Sequence, residues 1–301
     1  MTPAAVDRIK LWFGQLQRRS RLVDIVVRTF KAFSDDDGGT YAAALTYYTF
    51  FSIFPLLLFG AAILGYVTRG DEELQQQIIT AGVDAVPMIR DVLKPAAIEA
   101  IVRRRQELAA TGLVLALYSG SGAVIALQHG LNKMLGLTDE EPGWIAKRLK
   151  ALRWLVLLGG CALLSVALGT LASYSAGLLG LGSESIAARL IGHVAGFLVG
   201  LVLFASAYKL LPAVSQTWRR VLPGAVVAAV LFEALKEIGA AYLESGSQSR
   251  EATFGTLAAA AGLLVAAFFI SQITLLAAEL NGVLAEGSEG ESGRTGKGGP
   301  R

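Results

Sequence analysis

LPGAVVAAVLFEALKEIGAAYL, residues 222–243, is apolar enough to enter a bilayer, yet it carries Glu233, Lys236 and Glu237 in its middle. Pro223 suits the first turn of a helix, where a missing N–H is harmless. At about 1.5 Å per residue, Glu233 falls roughly 15 Å further on, near the centre of a ~30 Å hydrocarbon layer. Steps of three and four place the three ionisable groups on one arc. Ala229 and Ala240 share that arc, so a neighbouring backbone can come close. Eight large apolar residues contribute about −2.5 to −5 kcal/mol to insertion, against about +7 to +10 kcal/mol for three central charges. Such a helix must face protein or water, with its charges paired. Ionisable groups at this depth read first as a functional site; the competing reading is a structural Glu–Lys pair that locks helix packing.

The rest of the composition agrees with a membrane environment. Of 301 residues 53% are hydrophobic and only 17% charged, which places the chain among polytopic membrane proteins. One cysteine, Cys161, leaves no internal disulfide and no cysteine-built metal site. His129 and His193 supply too little for a histidine metal centre, so neither a metal nor another cofactor is expected. The first long apolar run starts at Tyr41, too late and too long for a signal peptide.

Outward from the central stretch, the pattern predicts an all-α fold with six transmembrane helices. Residues 1–40 form a cytoplasmic amphipathic helix and linker, 41–285 the membrane domain, and 286–301 a Gly-rich disordered cytoplasmic tail. The first 34 residues hold seven Lys/Arg and two Asp, with Ile9, Trp12, Phe13, Leu16 and then Val23, Val26, Val27, Phe30 at helical spacing. That pattern suits a helix on an anionic leaflet or one packed on the protein's own cytoplasmic face. SDDDGG (34–39) ends it. Span one, 41–67, contains Pro55, which frees the Phe51 carbonyl; Tyr48 and Ser52, one turn apart, are placed to satisfy that carbonyl or to line a cavity. Residues 68–109 are too polar to span and read as an extracytoplasmic loop region. Span two, 109–127, ends in LQHGLNKM, with Gln128 and Asn132 one turn apart.

A polar loop, 138–151, leads to span three, 152–181, with Ser165, Gly169, Ser173 and Gly177 at four-residue spacing. Span four, 190–211, carries Gly192, Gly196 and Gly200 in the same rhythm. The two stripes predict a close antiparallel hairpin. His193 beside the glycines reads as a packing residue. Span five is the opening stretch; span six, 254–284, holds Glu279 near the far interface, where exposure would account for it. Loops on the side of the N-terminus carry sixteen Lys/Arg and those on the other side eight, which puts both termini in the cytoplasm.

Five pieces, in order and at matching intervals, resemble the YihY or virulence factor BrkB-like membrane proteins, once labelled ribonuclease BN. They are AAALTYYTFFSIFPLLL (42–58), ALQHGLNKMLG (126–136), YKLLP (208–212), LPGAVVAAVLFEALK (222–236) and AAELN (277–281). The family pattern often has an acidic or polar residue where Gly130 stands here. The resemblance implies six helices in the bacterial cytoplasmic (inner) membrane with both termini inside, and for some members a lipid or envelope-related transport role.

The residues argue against a nuclease, because no soluble loop assembles the His and carboxylate groups of a metal-dependent phosphodiesterase. RNA would want aromatic platforms beside basic groups, and the N-terminal arm offers only Trp12 and Phe13. No enzyme activity and no nucleic-acid partner are expected. The first reading is a carrier or flippase-like transporter of a lipid or other amphipathic molecule, with membrane lipids as partners. Its path would draw on Glu233, Lys236, Glu237, Tyr48, Ser52, Pro55, Gln128, Asn132 and Glu279. With no Walker A sequence, ATP is not its direct energy source. A non-transporting envelope scaffold is the alternative. Reporter fusions at the N-terminus, within 138–146 and in the tail should all read cytoplasmic; an extracytoplasmic signal from the tail would remove the six-span arrangement.

Overall fold

The computed structural model describes residues 20–67, 71, 73–74, 76–77, 80, 105–137, 143–158, 160–161, 186–244 and 256–295. Within them the chain forms seven long helices and no strand. In order they are α1 (Arg21–Asp35), α2 (Gly38–Val67), α3 (Arg105–Met134), α4 (144–158), α5 (Ile186–Leu210), α6 (Trp218–Glu244) and α7 (Thr256–Thr295). Expectations for 1–19, for nearly all of 68–104, for the 162–185 half of span three and for 245–255 lie outside the described residues. α7 is the hub and packs against α1, α2, α3 and α6, while α2 pairs with α3 and α5 with α6.

Among the described residues, three helices are long and apolar enough, by length and composition, to cross a membrane: Gly112–Met134, Gly192–Leu210 and Ala260–Gly287. The buried helix faces are lined by small residues, among them Ala205 of α5, Ala225 and Ala228 of α6, and Ala277 and Ala278 of α7, which let helix axes approach. Gly130 serves the same end. A Cβ there would sit 2.8 Å from Leu275 Cδ2, so glycine admits the Leu275 side chain of α7 against α3.

Local signals set most boundaries. α1 ends in SDDDGG as expected: Asp36 N–H donates to Ala32 O at 2.8 Å and Asp37 takes a φ of 55°. Asp36 Oδ1 also lies 3.1 Å from Lys133 Nζ, tying this turn to the end of α3. α3 closes with Gly136 at a φ of 61°, where Leu137 N–H donates to Asn132 O and Gly136 N–H to Lys133 O. That pair of bonds is a Schellman closure, and the left-handed residue is the glycine it favours.

Several expectations need correction. Pro223 is not in the first turn, because α6 begins at Trp218 and Pro223 is its sixth residue. α7 supports the helix next to this proline: Asn281 Oδ1 accepts the Gly224 N–H at 2.7 Å and Asn281 Nδ2 donates to Val221 O at 3.3 Å. Ser52 Oγ donates to Thr49 O at 2.8 Å, not to the Phe51 carbonyl that Pro55 frees, and α2 runs unbroken through Pro55. Residues 144–151, read as loop, are the first turns of α4. They are amphipathic, with Ala151 buried and Trp144 and Ile145 exposed. α7 continues to Thr295, ten residues into the stretch read as a disordered tail. Extending an existing helix needs no new nucleus, and Glu286 in the extension lies 3.4 Å from Arg28 of α1 as an exposed ion pair.

The YKLLP piece fastens the α5–α6 connection. Tyr208 is buried and its hydroxyl donates to Thr274 O at 2.9 Å. Lys209 donates to Gln216 O at 3.2 Å and lies 4.6 Å from the centre of the Trp218 ring. Lys150 of α4 donates to Leu211 O and Pro212 O at 2.7 and 2.9 Å; burial lowers its pKa from the ordinary lysine value, and the two carbonyls hold the ammonium. Asn132 Oδ1 accepts the Ala213 N–H at 2.8 Å.

Asn281 supports a direct prediction. Asn281→Leu removes two buried hydrogen bonds at the α6–α7 crossing, at about 0.5–1.5 kcal/mol each. Purified in detergent, this variant should melt at a lower temperature. Gly224→Ala should lose the folded protein altogether, since its Cβ would collide with the Ala277 carbonyl and the Asn281 amide. A wild-type melting curve for Gly224→Ala would contradict this crossing.

Candidate functional site

The charges of residues 222–243 meet α5 halfway along both helices. Gly196 makes room for them: a Cβ there would lie 2.7 Å from Glu233 Oε1 and 3.1 Å from Lys236 Nζ. Glu233 Oε1 and Lys236 Nζ are 2.7 Å apart, one turn from each other on α6, with side chains only 15% and 18% exposed. One turn from Gly196, His193 Nδ1 stands 3.9 Å from Glu233 Oε2 and 3.7 Å from Glu237 Oε1. Here the site opens, with His193 50% and Glu237 65% exposed.

Below the ion pair, Gly200 packs on Ala229, whose Cβ would be 3.7 Å from a Cβ added at the glycine. Ala229 thus plays the close-approach part expected of it. Phe232 faces Phe204 edge-on at 6.0 Å, and Lys236 Nζ lies 5.6 Å from the Phe232 ring centre. Val194, Leu198, Val230 and Ile238 surround the cluster as exposed apolar side chains. The result is a carboxylate–ammonium–imidazole group open sideways on an otherwise greasy helix pair. An acceptor, a donor and a second acceptor lie within one turn, a set that can pair with a head group carrying both signs of charge.

One reading of these elements gains a neighbour and another changes. The Gly196 and Gly200 stripe meets α6; the span-three stripe with which the sequence paired it, 165–177, lies outside the described residues. The stripe was legible, but periodicity does not say which neighbour fills it. His193 was set aside as packing, although its place three residues before Gly196 was the available signal that it shares the stripe's face.

The other candidates do not join this cluster. Tyr48 and Ser52 lie on α2; Tyr48 approaches Gly122 of α3 and is partly exposed, while Ser52 is buried. Pro55, on the same helix, is partly buried. Gln128 and Asn132 are buried in α3, and Asn132 holds the α5–α6 connection. Glu279 is not exposed as expected: it is only 4% exposed, in the wall of a cavity of about 300 Å³ at the end of the bundle. That cavity is bounded by Val221, twelve residues from Glu233 and so about 18 Å along α6. The nine residues therefore lie on four helices, α6, α2, α3 and α7. Among the described residues, no three His, Cys, Asp or Glu side chains come together as metal ligands.

Comparison with known proteins gives a consistent picture. The family model described as "Virulence factor BrkB" matches residues 29–298. An uncharacterised protein of Dickeya dadantii is 27% identical over 84% of this chain and 80% of its own length. The inner membrane protein YhjD of Escherichia coli is 25% identical over 87% of the chain and 81% of its own length. A putative ribonuclease-like protein of Bacillus subtilis, YfkH, is 23% identical over 85% of the chain and 93% of its own length. No solved structure matches.

Gly196 separates packing from charge placement. Gly196→Ala should leave a folded protein, because the atoms its Cβ meets are the mobile ends of Glu233 and Lys236. Gly196→Leu should evict the ion pair and lower the folded fraction in size-exclusion profiles. Leu198→Phe, at an exposed position, should be neutral. Equal profiles for Gly196→Leu and Leu198→Phe would remove the close approach from the account.

Proposed function

Because the chain belongs to the virulence factor BrkB family of membrane proteins, we propose that it is a multi-pass bacterial inner-membrane carrier. Its cargo is a lipid or other amphipathic molecule, and its head-group site is Glu233, Lys236, Glu237 and His193. It has six spans and cytoplasmic termini, and its action is transfer without covalent chemistry. The name of YhjD as an inner membrane protein supports the location. The ribonuclease-like name belongs to YfkH, and no residue cluster described above favours that activity.

The observation that carries the reading is the sideways opening of the α5–α6 charge cluster. A pair kept only to lock two helices is best sealed, because the surrounding low dielectric strengthens it. Here the inner members are nearly covered while His193 and Glu237 are half or more exposed, between apolar side chains that suit acyl tails. A head group bearing phosphate and amine can exchange partners with Lys236, His193 and the two carboxylates as it passes. This lowers the barrier that a bare charge meets in hydrocarbon.

Reconstituted vesicles holding a fluorescent lipid test the proposal, with dithionite quenching reporting transfer between leaflets. Wild-type protein should accelerate transfer. Glu233→Gln should fold in wild-type amount and slow transfer at least about tenfold. Glu233→Gln with Lys236→Met should also be inactive, since restored packing does not restore the carboxylate. The scaffold alternative gives the opposite pattern: Glu233→Gln alone loses folded protein, the double variant regains it, and the wild type does not accelerate transfer.

A further inference from the structure

The cavity around Glu279 is a second polar site, separate from the α5–α6 cluster and independent of the carrier reading. It forms where the α1–α2 turn, the end of α3, the start of α6 and the last third of α7 converge. Glu279 Oε2 is buried there without a hydrogen-bond partner. Two more carboxylates, Asp36 and Glu286, share the wall.

Two nearby cations already have a carboxylate beside them. Lys133 Nζ is 3.1 Å from Asp36 Oδ1, and Arg28 is 3.4 Å from Glu286 Oε2. Arg220 also lines the wall and has contacts of its own. A buried carboxylate that stays ionised requires a counter-charge or a donor. Met134, Leu135 and Val283 give the same wall an apolar side, against which a short chain of methylenes can lie. About 300 Å³ is at the small end of ligand-site volumes.

We propose that this cavity binds a small primary ammonium group, its nitrogen donating to Glu279 Oε2 and its carbons lying on Met134 and Val283. Glu286, at the exposed rim, adds attraction. The ammonium can come from a lipid head group or from a soluble amine, because both present the same –CH2–NH3+ end to the carboxylate.

The full chain, purified in detergent, is titrated with propylammonium, and binding is followed by thermal shift and calorimetry. Propan-1-ol serves as the neutral control. Propylammonium should raise the melting temperature saturably and propan-1-ol should not. Glu279→Gln should weaken binding about tenfold or more, since a charge-assisted bond is lost. Glu286→Gln, at an exposed position that leaves folding intact, should weaken it a few-fold. The source is read in nanodiscs. Stabilisation by phosphatidylethanolamine over phosphatidylglycerol that vanishes in Glu279→Gln identifies the lipid; equal stabilisation by added propylammonium in both lipids identifies a soluble amine. Equal shifts from propylammonium and propan-1-ol, or unchanged affinity in Glu286→Gln, would overturn the assignment.

Discussion

The fold turns on one amide. Pro223 and Gly224 interrupt the backbone ladder of α6 at the point where α6 crosses α7, and Asn281 supplies a donor and an acceptor to the groups next to the break. Gly224 is required there because the Ala277 carbonyl occupies the space of a side chain. Helix α7 is thereby fixed in depth and rotation against α6. Tyr208, one helix away, reads the same α7 backbone at Thr274. With both ends of the α5–α6 connection bound to α7, the two helices run antiparallel in a defined register. That register brings Gly196 opposite Glu233 and Lys236.

Much of this was legible in the sequence, for reasons that can be traced to particular residues. Apolar length forecast the helices, SDDDGG the α1–α2 turn, and the Ala229 arc a close neighbour. These are local properties, written in consecutive residues. The errors share a different cause. Pro223 was placed in a first turn because Leu222 begins the apolar run, yet α6 gains an earlier turn from Trp218 to Val221, where Trp218 is anchored by Lys209. Ser52 had two carbonyls within reach and took that of Thr49. The partner of the Gly196 stripe and the burial of Glu279 both depend on which helix comes alongside, and helical periodicity names a face without naming its neighbour.

Asn132 and Asn281 show how a polar residue in an apolar run can be read too narrowly. Asn132 was a path candidate because it lay one turn from Gln128. Its amide oxygen instead takes the Ala213 N–H, so its role visible here is to hold the α5–α6 connection against α3. Asn281 was noted only as part of AAELN, and it proves to be the α6–α7 clasp. In both cases a side-chain amide bonds backbone groups of a neighbouring element, in surroundings where an unmet polar group is costly. Such amides are structural by default, whereas a buried carboxylate without a donor is not.

That contrast orders the polar residues of the whole chain. Asn132, Asn281, Tyr208 and Lys150 each meet backbone atoms at 2.7–3.3 Å. Glu233 and Lys236 meet each other, then hand their surplus to the half-open His193 and Glu237. Glu279 has an oxygen that meets nothing. Moving from the first group to the last, the interactions pass from completed to shared to open, and only an open or shared group has free energy left to give a ligand. The fold concentrates its completed bonds around the α6–α7 crossing and the adjoining loop. The shared group lies on α6, while the open one, Glu279, lies on α7 in a cavity that also borders Val221 of α6, about 18 Å along α6 from Glu233.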